Sequence, residues 1–317
     1  MNTSSPFYFP PAAESSPAEK KERYAVTIGT FDGLHRGHLR VLDTLNDEAA
    51  RRGLTPMVIT FDAHPLSVIA PERTPAAILS TLYKLAGIRR HGMKIHLLDF
   101  TPATARQSAS DWIRSLHDYH DVDLIVIGYD NTFGHDGRSL SQDDYIRIGA
   151  EAGVEIIIAD RVEGISSTAI RRHIAAGHIE KGTELLGHPF TLDGRVEEGD
   201  HIGRSLGVPT ANIRPALPAN RLIPPFGVYA SRTRLSDGSV YPSVTNIGLR
   251  PTVRDLAATP TPRIETHLIG YDGPDLYGSR IEVELLSRMR DEEKFSSIDA
   301  LKERLHQDIE IRKSMQP

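Results

Sequence analysis

The ten residues from Gly29 to His38, GTFDGLHRGH, gather the groups that phosphate chemistry requires. His35 and His38 are three apart, as neighbours on one helical face are, and Leu42, Leu45 and Ala49 continue the stripe at helical spacing. The apolar run Tyr24–Ile28 ahead of them reads as a strand. Glycines 29, 33 and 37 let a ligand or backbone approach where a Cβ would intrude. A turn of this kind, opening a helix, offers N–H groups and the positive dipole end to an anion. Two imidazoles there can donate hydrogen bonds to a phosphoryl group gathering negative charge. A shared metal ion is the other use of paired histidines, but the chain has no cysteine and no third ligand at helical spacing. Gly29, Phe31, Asp32, Gly33, His35 and His38 therefore form one candidate nucleotide site.

A second phosphate cradle is expected at Ser166-Ser167-Thr168, which opens another helix with Arg171 one turn on. One such hydroxyl is an ordinary N-cap; three together with a guanidinium exceed what capping needs. The two cradles are expected to face each other across the sheet edge and hold a triphosphate. Two further loops follow apolar strands: Thr60–Pro65, with Phe61, Asp62, His64 and Pro65, and Gly128–Gly134, with Asp130, Asn131 and Phe133.

Later in the chain, GRVEEGDHIGRSLGVPTAN (194–212) carries Gly199, Gly203, Arg204 and Gly207 in a loop that can arch over a polyphosphate. It is not a Walker loop, because no Gly-Lys-Ser/Thr follows. It ends in Thr210 and Asn212, hard oxygen donors of the type Mg²⁺ accepts beside nucleotide phosphates. Alternation in Arg263–Leu268 puts Glu265 and His267 on one face and Ile264, Thr266 and Leu268 on the other. A strand carboxylate facing a ligand could take a proton from an alcohol during phosphoryl transfer. His267 reads as structural.

The elements that must position these groups come in two grammars. Strand candidates centred on Val26, Val58, His96, Val126 and Ile156 lie 32, 38, 30 and 30 residues apart, with helical stretches near 38–52, 80–91, 108–119 and 141–152 between them. That predicts a doubly wound parallel α/β sheet with ligands at the C-terminal strand ends. After about Gly187, short alternating runs (190–196, 227–235, 263–269 and 281–286) separated by Gly/Pro turns predict a small antiparallel β-barrel. A closing helix, 297–312, carries Ile298, Leu301, Leu305 and Ile309 on one stripe. The expected organisation is a flexible leader (1–22), an α/β domain (23–184) and a barrel domain (185–317), with the junction between 182 and 188.

Composition narrows the function classes. A chain of 317 residues can hold two cores, and its net charge of −5 argues against a broad grip on nucleic acid. The lack of cysteine excludes disulfides and suits a reducing compartment, so a cytoplasmic protein is expected. No apolar run approaches a membrane span, and the leader lacks a signal-peptide core. Self-association stays open.

These motifs resemble a known family. GTFDGLHRGH resembles the signature of HxGH nucleotidyltransferases, and Ile165–Arg171 (ISSTAIR) resembles the ISSTxIR motif of prokaryotic FAD synthetases. The second half resembles a riboflavin kinase module at Phe226–Tyr229, Thr245–Thr252, Asp275–Gly278 and Arg288–Phe295. The resemblance implies an N-terminal FMN adenylyltransferase in which the histidines stabilise the attacked α-phosphate and the 60–65 and 128–134 loops flank flavin and nucleotide. It implies a C-terminal riboflavin kinase in which Thr210 and Asn212 bind Mg²⁺–ATP, Glu265 is the base, and Arg290 and Glu293 lie near the isoalloxazine. Substrates would be riboflavin, FMN and ATP, with Mg²⁺ the metal and no nucleic-acid or membrane partner. The chain departs from the family pattern at Asn131, usually aromatic, at Val208, usually Phe, and in a Tyr271–Asp275 loop one residue longer than usual. The alternatives are a monofunctional kinase with a degenerate first domain and a non-enzymatic flavin-binding regulator.

Overall fold

The computed structural model describes residues 22–199, 202–216, 218–249 and 262–315. The leader up to residue 21, residues 200–201 of the glycine loop and the Arg250–Thr252 end of one motif lie outside the described residues. The chain forms two compact units. One comprises the residues up to Pro75 together with Lys84–Ile165; the other comprises Ala76–Tyr83 and everything from Ser166 onward.

The first unit is built on five parallel strands: β1 Tyr24–Ile28, β2 Thr55–Phe61, β3 Lys94–Leu98, β4 Val122–Gly128 and β5 Glu155–Ala159. Helices α1 Arg36–Arg52, α2 Leu66–Ile69, α3 Thr81–Arg90 (from Lys84 onward), α4 Ala109–His120 and α5 Gln142–Ala152 complete it. Every expected strand and long helix is present; the short α2 lacks the length to show a period. Ser108 and Ser141 start α4 and α5 with capping boxes closed by Asp111 and Asp144. Gly53 and Gly153 end α1 and α5 in left-handed geometry. Strand order is β3-β2-β1-β4-β5, so the winding reverses between β1 and β4. The open crevice past their C-terminal ends is where doubly wound sheets bind ligands. Leu124, Ile125 and Val126 of β4 are fully buried, as an apolar run in a sheet covered on both faces must be.

The second unit contains α6 Ser167–Ala175, α7 Ile179–Leu186, β6 Phe190–Glu197, α8 Ile202–Ser205, β7 Ala211–Pro215, β8 Gly227–Leu235, β9 Val240–Leu249, β10 Pro262–Leu268, β11 Arg280–Arg290 and α9 Ile298–Ser314. Its six strands close into a barrel in the order β10-β7-β6-β11-β8-β9. Two of them are not among the sequence expectations. β7 begins inside Pro-Thr-Ala-Asn, which reads as the end of a loop, and β9 pairs polar with apolar residues on its inner face. That face explains the weak pattern. Ser231, Thr233, Ser243, Thr245 and Thr266 are all fully buried and bond to one another at 2.7–3.3 Å, so hydroxyls fill part of the interior.

In packing, α6 and α7 go with the barrel, burying Ile170, Ile174, Ile179 and Leu186, so the two compact units divide after Ile165. The α9 stripe needs correcting. Leu301, Leu305 and Ile309 face the barrel side, but Ile298 is 70% exposed, at the first turn where the helix has yet to reach the barrel wall. The segment Ala76–Tyr83 is stitched to this unit by paired backbone bonds between Ala77 and both Asn220 and Leu222. Its Ser80 hydroxyl donates to Asp193, which is ion-paired at 2.9 Å with the buried Arg221.

Candidate active sites

The turn between β1 and α1 is wound through left-handed backbone at Phe31 (φ 48°), Gly33 (φ 96°) and Leu34 (φ 42°). Non-glycine residues hold such angles only when packing over-determines them, and Phe31 and Leu34 are both buried. The turn delivers His35 as the N-cap of α1, where its Nδ1 accepts the backbone N–H of His38 at 3.2 Å. A ring whose Nδ1 accepts carries its neutral-state proton on Nε2, which becomes a donor. The two imidazoles stack with centroids 3.7 Å apart and planes 13° from parallel, and Phe31 meets His38 edge-on at 5.3 Å. The paired rings expected from the spacing are found. No acidic residue in the first turn of α1 opposes an incoming anion.

Beside this turn, a cavity of about 210 Å³ lies at the ends of β1, β2 and β4. Gly29, Phe61, Pro65, Asn131 and Phe133 line it, together with Phe100 and Trp112. Asp62, His64 and Asp130 are not among its lining residues. His64 instead accepts the N–H of Leu66 at 3.1 Å and starts α2. Asn131 donates to the Ile28 carbonyl and ties the ends of β4 and β1 together. Sequence reasoning passed over Lys84, a buried residue of α3 whose ammonium bonds the carbonyls of Thr30 and Phe61. No motif surrounds it; a lysine inside an otherwise apolar helical face was the available signal.

In the second unit, Ser166 caps α6 by accepting the Ala169 N–H at 3.1 Å, leaving Ser167 and Thr168 in the first turn. Arg171 is anchored by its Nε bond to the Ala76 carbonyl at 2.7 Å.

Two cavities of the barrel unit are lined by described residues. One, of about 320 Å³, has apolar walls from Val208, Val228, Val244, Leu305 and Ile309 and a polar edge of Arg263, Glu265 and His267. Alternation along β10 therefore points Glu265 at the cavity, while Ile264, Thr266 and Leu268 are buried on the other face. Asn212 stands directly opposite Glu265 in the β7–β10 ladder. Arg263 joins the two: its Nη2 lies 2.7 Å from Glu265 Oε1, and its Nε donates to Asn212 Oδ1 at 3.1 Å. His267, read as structural, also lines the cavity. Burial pushes its pKa below the usual range, so the neutral ring donates from Nδ1 to the Pro209 carbonyl at 2.8 Å.

Arg290 and Glu293 line the same cavity, and Arg290 is pinned by Asp308 of α9, a carboxylate only 1% exposed. The second cavity, of about 240 Å³, is bounded by Arg204, Leu268, Asp275, Leu276 and Tyr277, and Arg204 pairs with Asp275. Thr210 lines both cavities.

The glycines of the loop have distinct reasons. A Cβ on Gly199 would fall within 2.1 Å of the Asn212 amide, and one on Gly203 would fall 2.4 Å from the Val208 carbonyl oxygen. Gly207 has φ 78°. Among the described residues no cluster of three or more His, Cys, Asp or Glu could hold a metal ion. The Thr210 hydroxyl and the Asn212 amide, which stands opposite Glu265, are hard oxygen donors that would suit Mg²⁺.

A family model for FAD synthetase matches residues 17–172, and one for riboflavin kinase matches residues 186–316. The bifunctional riboflavin kinase/FMN adenylyltransferase of Escherichia coli K12 is 36% identical over 298 residues, 91% of each chain. The chain belongs to the bifunctional riboflavin kinase/FMN adenylyltransferase family. Its Bacillus subtilis member is 32% identical over 92% of each chain. A crystal structure described as a macrolide-efflux protein of Streptococcus pneumoniae matches with a TM-score of 0.81 at 28% identity, covering 94% of this chain and 96% of that one. Among the described residues of this family member, no helix is long and apolar enough to cross a membrane.

Proposed function

We propose that the barrel unit phosphorylates riboflavin to FMN and that the HxGH motif serves the transfer of AMP from ATP to FMN, giving FAD. The observation that carries the first half is Thr210, which lines both barrel cavities and stands two residues from Asn212, opposite Glu265. The larger, apolar-walled cavity takes the isoalloxazine, with Arg290 and Glu293 at its edge. The smaller one takes the nucleoside of ATP, so the phosphates cross at Thr210 under Gly199, Gly203, Arg204 and Gly207. Glu265 accepts the ribityl hydroxyl proton as that oxygen bonds to the γ-phosphorus and the β–γ bridging bond breaks, releasing ADP. Thr210 and Asn212 would hold Mg²⁺, which supplies charge neutralisation at the phosphates.

In adenylyl transfer the FMN phosphate is already an anionic nucleophile. It bonds to the α-phosphorus of ATP while pyrophosphate leaves, so positioning and charge stabilisation replace a general base. His35 and His38 donate to the α-phosphate, and Gly29, Phe31, Asp32 and Gly33 shape the approach. The cavity of Phe61, Pro65, Asn131 and Phe133 receives the flavin, with Asp62, His64 and Asp130 in its loops. By the resemblance of their motif, Ser166, Ser167, Thr168 and Arg171 are assigned to phosphate binding. A cytoplasmic place of action fits a cysteine-free chain. Purified protein given riboflavin, ATP and Mg²⁺ should accumulate FMN and then FAD on chromatography; flavin bound without turnover would refute the proposal.

A further inference from the structure

Lys84 sits in α3, 8% exposed, where a packing residue would normally be apolar. A buried ammonium is costly unless its donors are used. Two of its three are: Nζ donates to the Thr30 carbonyl at 3.2 Å and to the Phe61 carbonyl at 2.8 Å. Those two residues are where β1 and β2 give way to the ligand-facing loops. The Thr30 carbonyl also accepts the Thr60 hydroxyl at 3.3 Å, and the next residue, Phe31, is the first of the left-handed turn.

One turn further along α3, Gly87 makes room for the other end of that turn. A Cβ there would lie 2.3 Å from Leu34 Cδ1. The face Lys84–Gly87 thus grips the turn at both ends, immediately before His35. Charge agrees with the geometry. Burial draws the ammonium down to about 8, while Asp32 on the first loop and Asp62 on the second pull it upward.

We propose that Lys84 is a positioning residue for adenylyl transfer, setting the Thr30 and Phe61 peptides and through them His35, His38 and the flavin-side loop. This rests on the assignment of that transfer to the HxGH motif. The charged form makes the stronger bonds to the carbonyls and balances Asp32 and Asp62, so deprotonation loosens both loops.

The test is Lys84→Met and Lys84→Arg in the full chain, assayed for FAD formation from supplied FMN between about pH 6.5 and 9.5. Riboflavin phosphorylation serves as the internal control. Lys84→Met is expected to lower kcat for FAD formation about 10–100-fold with KM for ATP and FMN within about twofold, as misplacement of a site does. FMN formation should be unchanged. Wild type should lose rate on the alkaline side near about pH 8, and Lys84→Met should lack that limb. Lys84→Arg, which stays charged, should recover part of the rate without the limb. FAD formation within about twofold of wild type in Lys84→Met, the same alkaline limb in that variant, or joint loss of both activities in both variants would overturn the proposal. A wild-type chain that forms FMN but never FAD would instead sink the assignment beneath it.

Discussion

Arg263 holds Glu265 at 2.7 Å while its Nε donates to Asn212, so one guanidinium engages both the assigned base and an assigned metal ligand. If Asn212 is a Mg²⁺ ligand as proposed, the cation would compete with Arg263 for that oxygen. Replacing Arg263 with Met should therefore lower the Mg²⁺ concentration for half-maximal FMN formation, about fivefold for one hydrogen bond worth about 1 kcal/mol. A Mg²⁺ titration of the kinase rate checks this. An unchanged or raised half-saturation point would show that Arg263 does not compete with the metal.

The two activities should separate by mutation. His38→Ala removes a donor from the proposed α-phosphate site and should cut FAD formation by ~10²–10³ while sparing FMN formation. Glu265→Ala should do the reverse when FMN is supplied. Chromatographic rates for both variants decide it. If either folded variant lost both activities, the division of labour would fail.

Gly203→Ala should impair the kinase half alone. The added Cβ would lie 2.4 Å from the Val208 carbonyl and 3.3 Å from Thr210 Oγ1, so the loop has to shift away from Thr210, a proposed metal ligand. Strain of about 1–3 kcal/mol falling on that loop should raise KM for ATP about 5- to 150-fold. Steady-state kinetics with ATP varied would show it, alongside unchanged FAD formation.

The ion pair of Arg221 and Asp193 is predicted to stabilise the barrel unit only as a complete pair. The Arg221 side chain is 2% exposed and also donates to the Thr191 carbonyl at 3.0 Å. Arg221→Met leaves Asp193 and the Ser80 hydroxyl bonded to it without the guanidinium, at a cost of about 3–5 kcal/mol. Arg221→Met/Asp193→Leu should recover much of that loss in urea denaturation followed by circular dichroism.

What could be read from the sequence follows from period and local chemistry. The stacked histidines were legible because a residue capping a helix and the residue three positions on stand over the same first turn, and β4 because a strand covered on both faces has to be apolar throughout. The strands β7 and β9 were hidden: one starts within a turn motif, and the other turns serines and threonines inward, where alternation normally marks the exposed face. Lys84, Arg263 and Asp308 act through partners 54, 51 and 18 residues away (Thr30, Asn212 and Arg290), contacts that only the closed fold creates. Asn131 was legible as a departure, but its bond to the Ile28 carbonyl needed strand order.

Lys84 also makes a prediction about stability. Burial lowers its folded-state pKa from 10.5 to about 8, whereas the unfolded chain keeps the ordinary value. Between those values the unfolded state binds a proton that the folded state has released, so stability from this group rises with pH through that window. Below about pH 8 both states are protonated and the penalty of the buried charge is present in full. The chain's single tryptophan, Trp112, is buried in the core of the same unit and reports its unfolding. Urea curves by Trp112 fluorescence should show wild type gaining stability relative to Lys84→Met between about pH 8 and 10.5, with a constant difference below. A difference that stays flat across that range would mean that Lys84 titrates at its unfolded value and that the two carbonyls and two aspartates fully offset its burial.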